Sequence, residues 1–81
     1  MNMARSQPKQ LVVCVSNEGY SVSLERRKIY VALRDPVAEK HGLVRVIDES
    51  GEDYLYPERY FVALELPRAA AQVFLVAHIH V

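Results

Sequence analysis

The chain has 81 residues, of which 51% are hydrophobic, and its ten lysines and arginines balance ten aspartates and glutamates. A chain of this length forms a single small domain, because two domains would each lack a sufficient core. The formal net charge of zero removes the long-range attraction to phosphate on which non-specific nucleic-acid binding depends. The sequence therefore argues against a multidomain enzyme and against a basic nucleic-acid groove.

The first segment, residues 1–10, is polar, and we predict a disordered lead-in because it cannot bury enough apolar surface to offset its ordering entropy. It lacks the apolar core of a secretory signal, and no apolar run approaches the about 20 residues that span a bilayer. The single cysteine, Cys14, cannot form an internal disulfide, and its apolar flanks predict a buried, inert thiol. We therefore expect a cytoplasmic protein.

The next segment predicts a strand followed by a loop. Residues 11–15 form a run rich in β-branched side chains that ends at turn residues, which is typical of a strand. Residues 20–27 have no strong hydrophobic period, and we expect an irregular loop that Leu24 anchors to the core.

A second strand is predicted over residues 28–34. It ends at Asp35, because the proline that follows has no amide hydrogen for a strand ladder. Asp35 as N-cap, Pro36 at the first helical position and Gly42 at the stop then predict one helical turn.

The strongest local signal is a hairpin. Residues 43–48 and 53–56 are β-rich runs, and the polar loop between them carries Gly51, where a positive φ is needed. Pro57 interrupts the pairing and predicts a 3₁₀ turn, after which residues 61–66 resume as a fifth strand.

The last segment, residues 67–81, is ambiguous between helix and strand. Its alanine-rich start favours a helix over residues 68–77, whereas its end alternates like a strand. Its apolar side chains need a surface to lie against, since a short helix alone is marginal in water. Three alternatives stay open: the segment caps its own domain, forms a homodimer through residues 69–81, or docks into another protein.

The order of these elements resembles the Src-homology-3-like barrel over residues 11–66. Residues 24–33 look like the segment that leaves the first long loop of that fold, and residues 57–62 look like its 3₁₀ turn. Residues 23–30 and 45–57 are also similar to a group of small bacterial proteins thought to share this barrel, for which no activity is assigned. The resemblance implies an all-β, five-stranded barrel with a 3₁₀ turn before the last strand and a helical or extended appendage.

The signalling members of that fold hold proline-rich peptides in an aromatic groove. Tyr60 matches the tyrosine of the 3₁₀ turn and Tyr20 lies where the first long loop begins, but the chain has no tryptophan. Leu43 and Val44 occupy the region where the groove of that family carries one. Polyproline binding is therefore not expected.

A tyrosine surface is the main candidate for a partner-binding site. Alternation along a strand places Tyr54 and Tyr56 on one face, opposite Leu55. If Leu55 faces the core, both tyrosines are partly exposed, and such tyrosines are common binding anchors. The alternative is that tyrosine merely suits strands and covers the outside of a small barrel. The predicted contact set is Tyr20, Tyr54, Tyr56 and Tyr60, flanked by Glu52, Asp53 and Arg59.

Charge is distributed unevenly despite the neutral total. Half of the acidic residues lie between positions 48 and 58, whereas basic residues cluster around the second predicted strand. This dipolar surface could steer a basic partner or set two copies head to tail, or it could simply keep a strand edge from pairing with another chain. The acidic spacing matches no calcium loop, and His78 and His80 lack a third ligand, so no metal or other cofactor is predicted.

These patterns together predict a non-catalytic protein-interaction module with an unidentified protein partner. No nucleophile and base lie close in sequence, and no glycine-rich phosphate loop is present. The alternative is a nucleic-acid-binding barrel in which tyrosines stack on bases. The neutral charge argues against that alternative, and no membrane association is expected.

Overall fold

The computed structural model describes residues 9–65, together with residues 67, 69, 70 and 73. Its regular elements are five strands, one short helix and one 3₁₀ turn. In chain order they are β1 (Lys9–Cys14), β2 (Ile29–Leu33), α1 (Pro36–Lys40), β3 (Leu43–Ile47), β4 (Asp53–Pro57), the 3₁₀ turn Glu58–Tyr60 and β5 (Phe61–Ala63).

The strands form one antiparallel sheet in the order β4-β3-β2-β1-β5. The predicted all-β class and its five strands are confirmed. Closure into a barrel is not: within the described residues β4 and β5 are the two edges of an open sheet and do not pair with each other. Sequence patterns report which residues suit strands, whereas closure depends on how far the sheet curls, which no local pattern encodes.

The predicted helical turn is confirmed as α1. The carboxylate of Asp35 accepts a 3.1 Å hydrogen bond from the amide of Ala38, and Pro36 occupies the first turn, where its missing N–H is no loss. The chain leaves α1 through Gly42 at φ +72°, a conformation that L side chains rarely adopt. One local capping motif thus turns the chain from β2 into β3.

The strand boundaries differ from the predicted ones at both ends of the sheet. β1 begins at Lys9, inside the predicted lead-in, because Lys9 and Gln10 pair with Leu33 and Ala32 of β2. β5 ends at Ala63, although the amide of Leu64 still donates a 2.9 Å hydrogen bond to the carbonyl of Leu11. Pairing with a neighbouring strand therefore extends β1 beyond its β-prone run.

One face of the sheet, the core face, carries the main hydrophobic cluster. Leu24 is fully buried in it and anchors the long loop before β2, as predicted. Burial of a leucine side chain stabilises a fold by about 1.5–3 kcal/mol, so this contact holds the loop against the sheet. The buried members of the cluster are Val12, Cys14, Leu24, Tyr30, Ala32, Val46, Tyr56 and Tyr60, with Val44 and Phe61 packed against them.

The predicted orientation of β4 is wrong. Tyr56 is 3% exposed and belongs to the core, whereas Leu55 is 40% exposed. The register explains the inversion: Tyr56 pairs with Val44 and Tyr54 pairs with Val46, so both tyrosines lie on the core face. A tyrosine is stable inside when its hydroxyl has a partner, and the side chain of Tyr56 has one.

Few residues of the last segment are described. Ala69, Ala70 and Val73 have helical backbone conformation. The rest of the helix prediction over residues 68–77, the pair of histidines and the dimer alternative fall outside the described residues. Within the described part of the chain, no helix has the length and apolar character needed to cross a membrane.

Candidate functional site

An open cleft of about 330 Å³ lies where the loop before β2 meets the β3–β4 hairpin. We call it the tyrosine cleft, because three of the five tyrosines line it. Its lining residues are Tyr20, Ser23, Asp48, Ser50, Tyr54, Leu55 and Tyr56. The cleft thus combines aromatic side chains, hydroxyl groups and one carboxylate.

The carboxylate of Asp48 is the buried polar group of the tyrosine cleft. One of its oxygens accepts hydrogen bonds from the backbone amide of Ser50 at 2.8 Å and from the Ser50 hydroxyl at 2.5 Å. The other oxygen accepts a 2.5 Å hydrogen bond from the hydroxyl of Tyr56. None of these donors carries a positive charge, so Asp48 is a buried anion stabilised by hydrogen bonds alone.

The hydrogen bonds of this group determine its protonation. Burial acts to raise the pKa of Asp48, but the bonds from Ser50 and Tyr56 outweigh it and hold that pKa below the ordinary value. Burial, followed by the bond to Asp48, raises the pKa of Tyr56 to about 12. At neutral pH Asp48 is therefore ionised and Tyr56 protonated, an arrangement that holds a charge and does not exchange protons.

Tyr20 forms one wall of the cleft. Its ring lies edge-on to the rings of Tyr56 and Tyr60, at centroid distances of 5.0 and 6.0 Å, yet 39% of the residue is exposed. The loop that carries it is held by two hydrogen bonds from side chains to the backbone: the Tyr60 hydroxyl donates to the carbonyl of Glu18 at 2.8 Å, and the Asn17 side-chain amide donates to the carbonyl of Leu24 at 3.0 Å. Tyr20 is thus an exposed aromatic surface in a fixed position.

Tyr54 and Leu55 form the opposite side of the cleft, on the edge strand β4. Tyr54 is 51% exposed, and its hydroxyl donates a 3.3 Å hydrogen bond to the carboxylate of Glu52. The negative charge of Glu52 raises the pKa of Tyr54. Tyr20 and Tyr54 therefore supply the exposed aromatic surface of the cleft.

A second polar network joins the loop before β2 to the β3–β4 hairpin. The hydroxyl of Tyr30 donates a 2.6 Å hydrogen bond to Glu49 and accepts one of 2.7 Å from the amide of Glu25. Lys28 forms a 2.7 Å ion pair with the same carboxylate, which lowers the pKa of Glu49 together with the bond from Tyr30. The amide of Glu49 also donates to the carbonyl of Ser23 at 3.1 Å. These bonds fix the hairpin loop to the loop that carries Tyr20.

The structure separates the predicted contact residues into different environments. Tyr20 and Tyr54 are exposed in the cleft, and Glu52 adjoins it through the Tyr54 hydroxyl. Tyr56 lines the cleft but is buried, so its predicted exposure is wrong. Its burial is favourable because its hydroxyl donates a hydrogen bond to Asp48. Tyr60 is likewise buried, since its ring packs in the core.

The charged residues predicted to flank the site lie elsewhere. Asp53 is paired with Arg45 at 3.2 Å, on the sheet face opposite the core cluster. The guanidinium of Arg59 lies over the ring of Tyr60, 5.3 Å from its centroid. Neither residue is among those that line the cleft.

Sequence reasoning missed three polar members of the cleft, namely Ser23, Asp48 and Ser50. The run from Asp48 to Gly51 does carry a signal: an aspartate that begins a turn with glycine at its fourth position commonly caps the following amides. The amide of Gly51 donates to the Asp48 carbonyl at 2.9 Å, as this turn requires. No sequence signal places Ser23 in the cleft.

The described residues contain neither a metal-binding cluster nor an exposed thiol. No group of three or more histidine, cysteine, aspartate or glutamate side chains in that part of the chain is arranged to hold a metal ion. Cys14 is buried and its pKa is raised by that burial, so the thiol packs as a small hydrophobic group, as predicted.

Comparisons with protein-family profiles, with curated protein sequences and with solved structures found no significant match to this chain. The function is therefore argued from the tyrosine cleft and its charge.

Proposed function

We propose that this chain is a small, non-catalytic protein-interaction module that binds a basic segment of a partner protein in the tyrosine cleft. The observation that carries the proposal is the position of two half-exposed tyrosines, Tyr20 and Tyr54, beside the ionised and buried Asp48. Its place of action under this proposal is the cytoplasm.

The aromatic surface supports binding to a protein. Tyrosine supplies a large contact area at low conformational cost and is enriched among the residues that dominate binding energy at interfaces. Tyr20 is already held by its contacts with Tyr56 and by the loop around it, so little of its freedom is lost on binding.

The charge of the cleft supports a cationic occupant. Asp48 contributes an anion without a basic partner among its hydrogen-bond donors, and Glu52 adds a second carboxylate beside Tyr54. A lysine or arginine side chain that enters between the rings gains both the attraction of the carboxylates and a cation–π contact, which is worth about 0.5–2 kcal/mol. The same carboxylates repel phosphate, which disfavours the nucleic-acid alternative.

The proposal includes a Src-homology-3-like order of elements, although the described strands form an open sheet. A long loop between β1 and β2, a tight β3–β4 hairpin and a 3₁₀ turn before β5 all agree with the resemblance. The cleft lies between that long loop and the hairpin.

An NMR titration of the full chain tests the proposed function. The probes are three peptides of equal length that differ only at a set of variable positions. The basic peptide carries lysine and arginine there, the neutral peptide carries glutamine, and the acidic peptide carries glutamate. We expect saturable amide shifts at Tyr20, Ser23, Ser50 and Tyr54 with the basic peptide and none with the acidic one.

Two variants and one further probe complete this experiment. Tyr54→Ala is expected to abolish the shifts, whereas Val22→Ala keeps them, because Val22 is almost fully exposed in the same loop and does not line the cleft. Single-stranded oligonucleotide is added in a separate titration at low and moderate salt. Saturable, salt-dependent binding of the oligonucleotide at the cleft, with no response to the basic peptide, would establish the nucleic-acid function instead.

A further inference from the structure

The outer edge of β4 carries backbone groups that no described strand pairs with. Within the part of the chain that the structure describes, β4 pairs with β3 on one side only. Two hydrogen bonds at the ends of this ladder show which residues bond across it. The amide of Asp48 donates to the carbonyl of Glu52 at 3.0 Å, and the amide of Glu58 donates to the carbonyl of Gly42 at 2.9 Å. Both pairs belong to the hydrogen-bonded set, which alternates with a set that has no such bonds.

This alternation gives the direction of the backbone groups of β4. Both bonds use even-numbered residues, so Tyr54 and Tyr56 also bond toward β3. The amide and carbonyl of Asp53 and of Leu55 consequently point away from β3. Pro57 ends the row because it has no amide hydrogen. The edge thus offers both donors and acceptors to an added strand.

This edge adjoins the tyrosine cleft. Tyr54 and Leu55 line the cleft and are both exposed. A strand added to β4 lies about 4.8 Å from it, with its side chains alternating between the two faces of the sheet. A side chain opposite Tyr54 then lies on the core face, within the about 6 Å at which a cation is attracted to an aromatic ring. A side chain opposite Leu55 lies on the other face, where it meets an aliphatic group.

Charge decides which strand fits this edge. Glu52 precedes β4 and Glu58 follows it, and among the described residues neither has an ion-pair partner. A second copy paired antiparallel around Leu55 would place Glu52 of one chain near Glu58 of the other, and like charges opposed across two strands are destabilising. A strand that carries lysine or arginine instead gains an attraction at both ends of β4.

We propose that the basic segment of the partner binds as an extended strand, antiparallel to β4, with its basic side chains at every second position toward the tyrosine cleft and an apolar side chain opposite Leu55. This inference rests on the proposed function and adds to it the conformation and the side-chain pattern of the partner. The main-chain bonds supply affinity, and the alternating side chains supply specificity.

Single N-methylation along a peptide in which lysine alternates with valine tests the proposal on the natural chain. Methylation of an amide that points at β4 removes a backbone hydrogen bond and adds a group that meets the edge. We therefore expect Kd to rise about tenfold or more at those residues. Methylation of the residues between them, whose amides point to solvent, should leave Kd unchanged. Sensitivity at every second residue is the expected result.

The outcomes separate this inference from the function on which it rests. If the unmethylated peptide binds in the cleft and no alternating sensitivity is found, the added strand is overturned and the proposed function stands. If no basic peptide binds the cleft, both are overturned. A peptide of the same composition with its lysines in one block should bind more weakly, and equal binding would contradict the alternating pattern.

Cross-strand nuclear Overhauser effects give an independent measurement. Tyr54 faces the added strand from a non-hydrogen-bonded position, where opposite α carbons are about 4.5 Å apart. Its α hydrogen should therefore show an effect to one α hydrogen of the bound peptide. The same effect between two copies of the chain, in the absence of peptide, would assign the edge to self-association and overturn the proposal.

A variant pair examines the same edge from the side of the protein. Leu55→Pro removes an amide that points away from β3, so it abolishes one bond to the peptide and none within the sheet. Leu55→Ala is the matched control, because it keeps the amide. We expect the proline variant to lose peptide binding and the alanine variant to keep it. Equal binding by the two variants would contradict the proposal, and the N-methylation series decides the question if the proline variant does not fold.

Discussion

The hydroxyl of Tyr56 donates a 2.5 Å hydrogen bond to the carboxylate of Asp48, and this bond places a stable anion beneath the tyrosine cleft. It also explains why a tyrosine occupies a core position of an edge strand. The ring contributes apolar packing against Phe61 and Tyr20, while the hydroxyl satisfies the carboxylate. Stability and the charge of the candidate site therefore depend on the same pair of residues.

Removal of this hydroxyl should destabilise the domain. Tyr56→Phe leaves Asp48 buried with Ser50 as its remaining donor, and a lost partner of a buried charged group costs about 1–3 kcal/mol. Urea unfolding monitored by circular dichroism gives the free energy. Tyr54→Phe is the matched control and should leave the free energy of unfolding unchanged, because its hydroxyl bonds to Glu52 in solvent. A Tyr56→Phe variant as stable as the natural chain would contradict this account of the pair.

Acid should reveal the same pair through the pH dependence of stability. The pKa of Asp48 in the folded state lies below its ordinary value of 3.8, so the unfolded chain takes up the proton first as the pH falls. The stabilisation from ionised Asp48 is thus fully present above pH 3.8 and is lost as the pH falls through the lower folded-state pKa. Asp48→Asn should flatten the part of the acid unfolding curve that this group produces; an unaltered slope would show that other carboxylates account for it.

The corrected side-chain orientation of β4 predicts that alanine substitution of two leucines lowers the free energy of unfolding by different amounts. Leu24→Ala removes a fully buried side chain and is expected to cost about 2–5 kcal/mol. Leu55→Ala removes a partly exposed one and should cost less than about 1 kcal/mol. Denaturant unfolding of both variants measures the difference. Comparable costs would restore the inward orientation of Leu55 that the sequence suggested.

The buried thiol of Cys14 can be used to measure opening of the sheet. Cys14 has no exposed surface, and burial raises its pKa, so a thiol-specific reagent should react with it only when the sheet opens locally or globally. We expect the reaction rate to be far below that of an unfolded control and to rise with denaturant in parallel with unfolding. Rapid labelling of the native chain would show that β1 is less firmly packed than its burial indicates.

Local sequence determined most of the elements and part of the candidate site. The Asp35-Pro36 cap, the glycine of the hairpin loop and the 3₁₀ turn after Pro57 follow from the backbone preferences of single residues, and all three are present. Two of the four tyrosines of the predicted contact set, Tyr20 and Tyr54, are exposed, but Tyr54 lies on the core face and not on the outward face that the predicted orientation gives it. The cap and the two turns depend on neighbours in sequence, which a sequence pattern contains, whereas the exposure of a strand residue does not.

Only the tertiary structure decided which face of β4 is buried. Alternation requires that Tyr54 and Tyr56 share a face, but it does not determine whether that face or the face of Leu55 is buried. The larger hydropathy of Leu55 favours the wrong orientation, with Leu55 inward. Pairing with Val44 and Val46 selects the core face for the tyrosines, and the carboxylate of Asp48, brought near by the hairpin, makes burial of the Tyr56 hydroxyl favourable. A hydrogen bond between the hairpin loop and β4 depends on the register in which β3 and β4 pair, and register is a property of the assembled sheet.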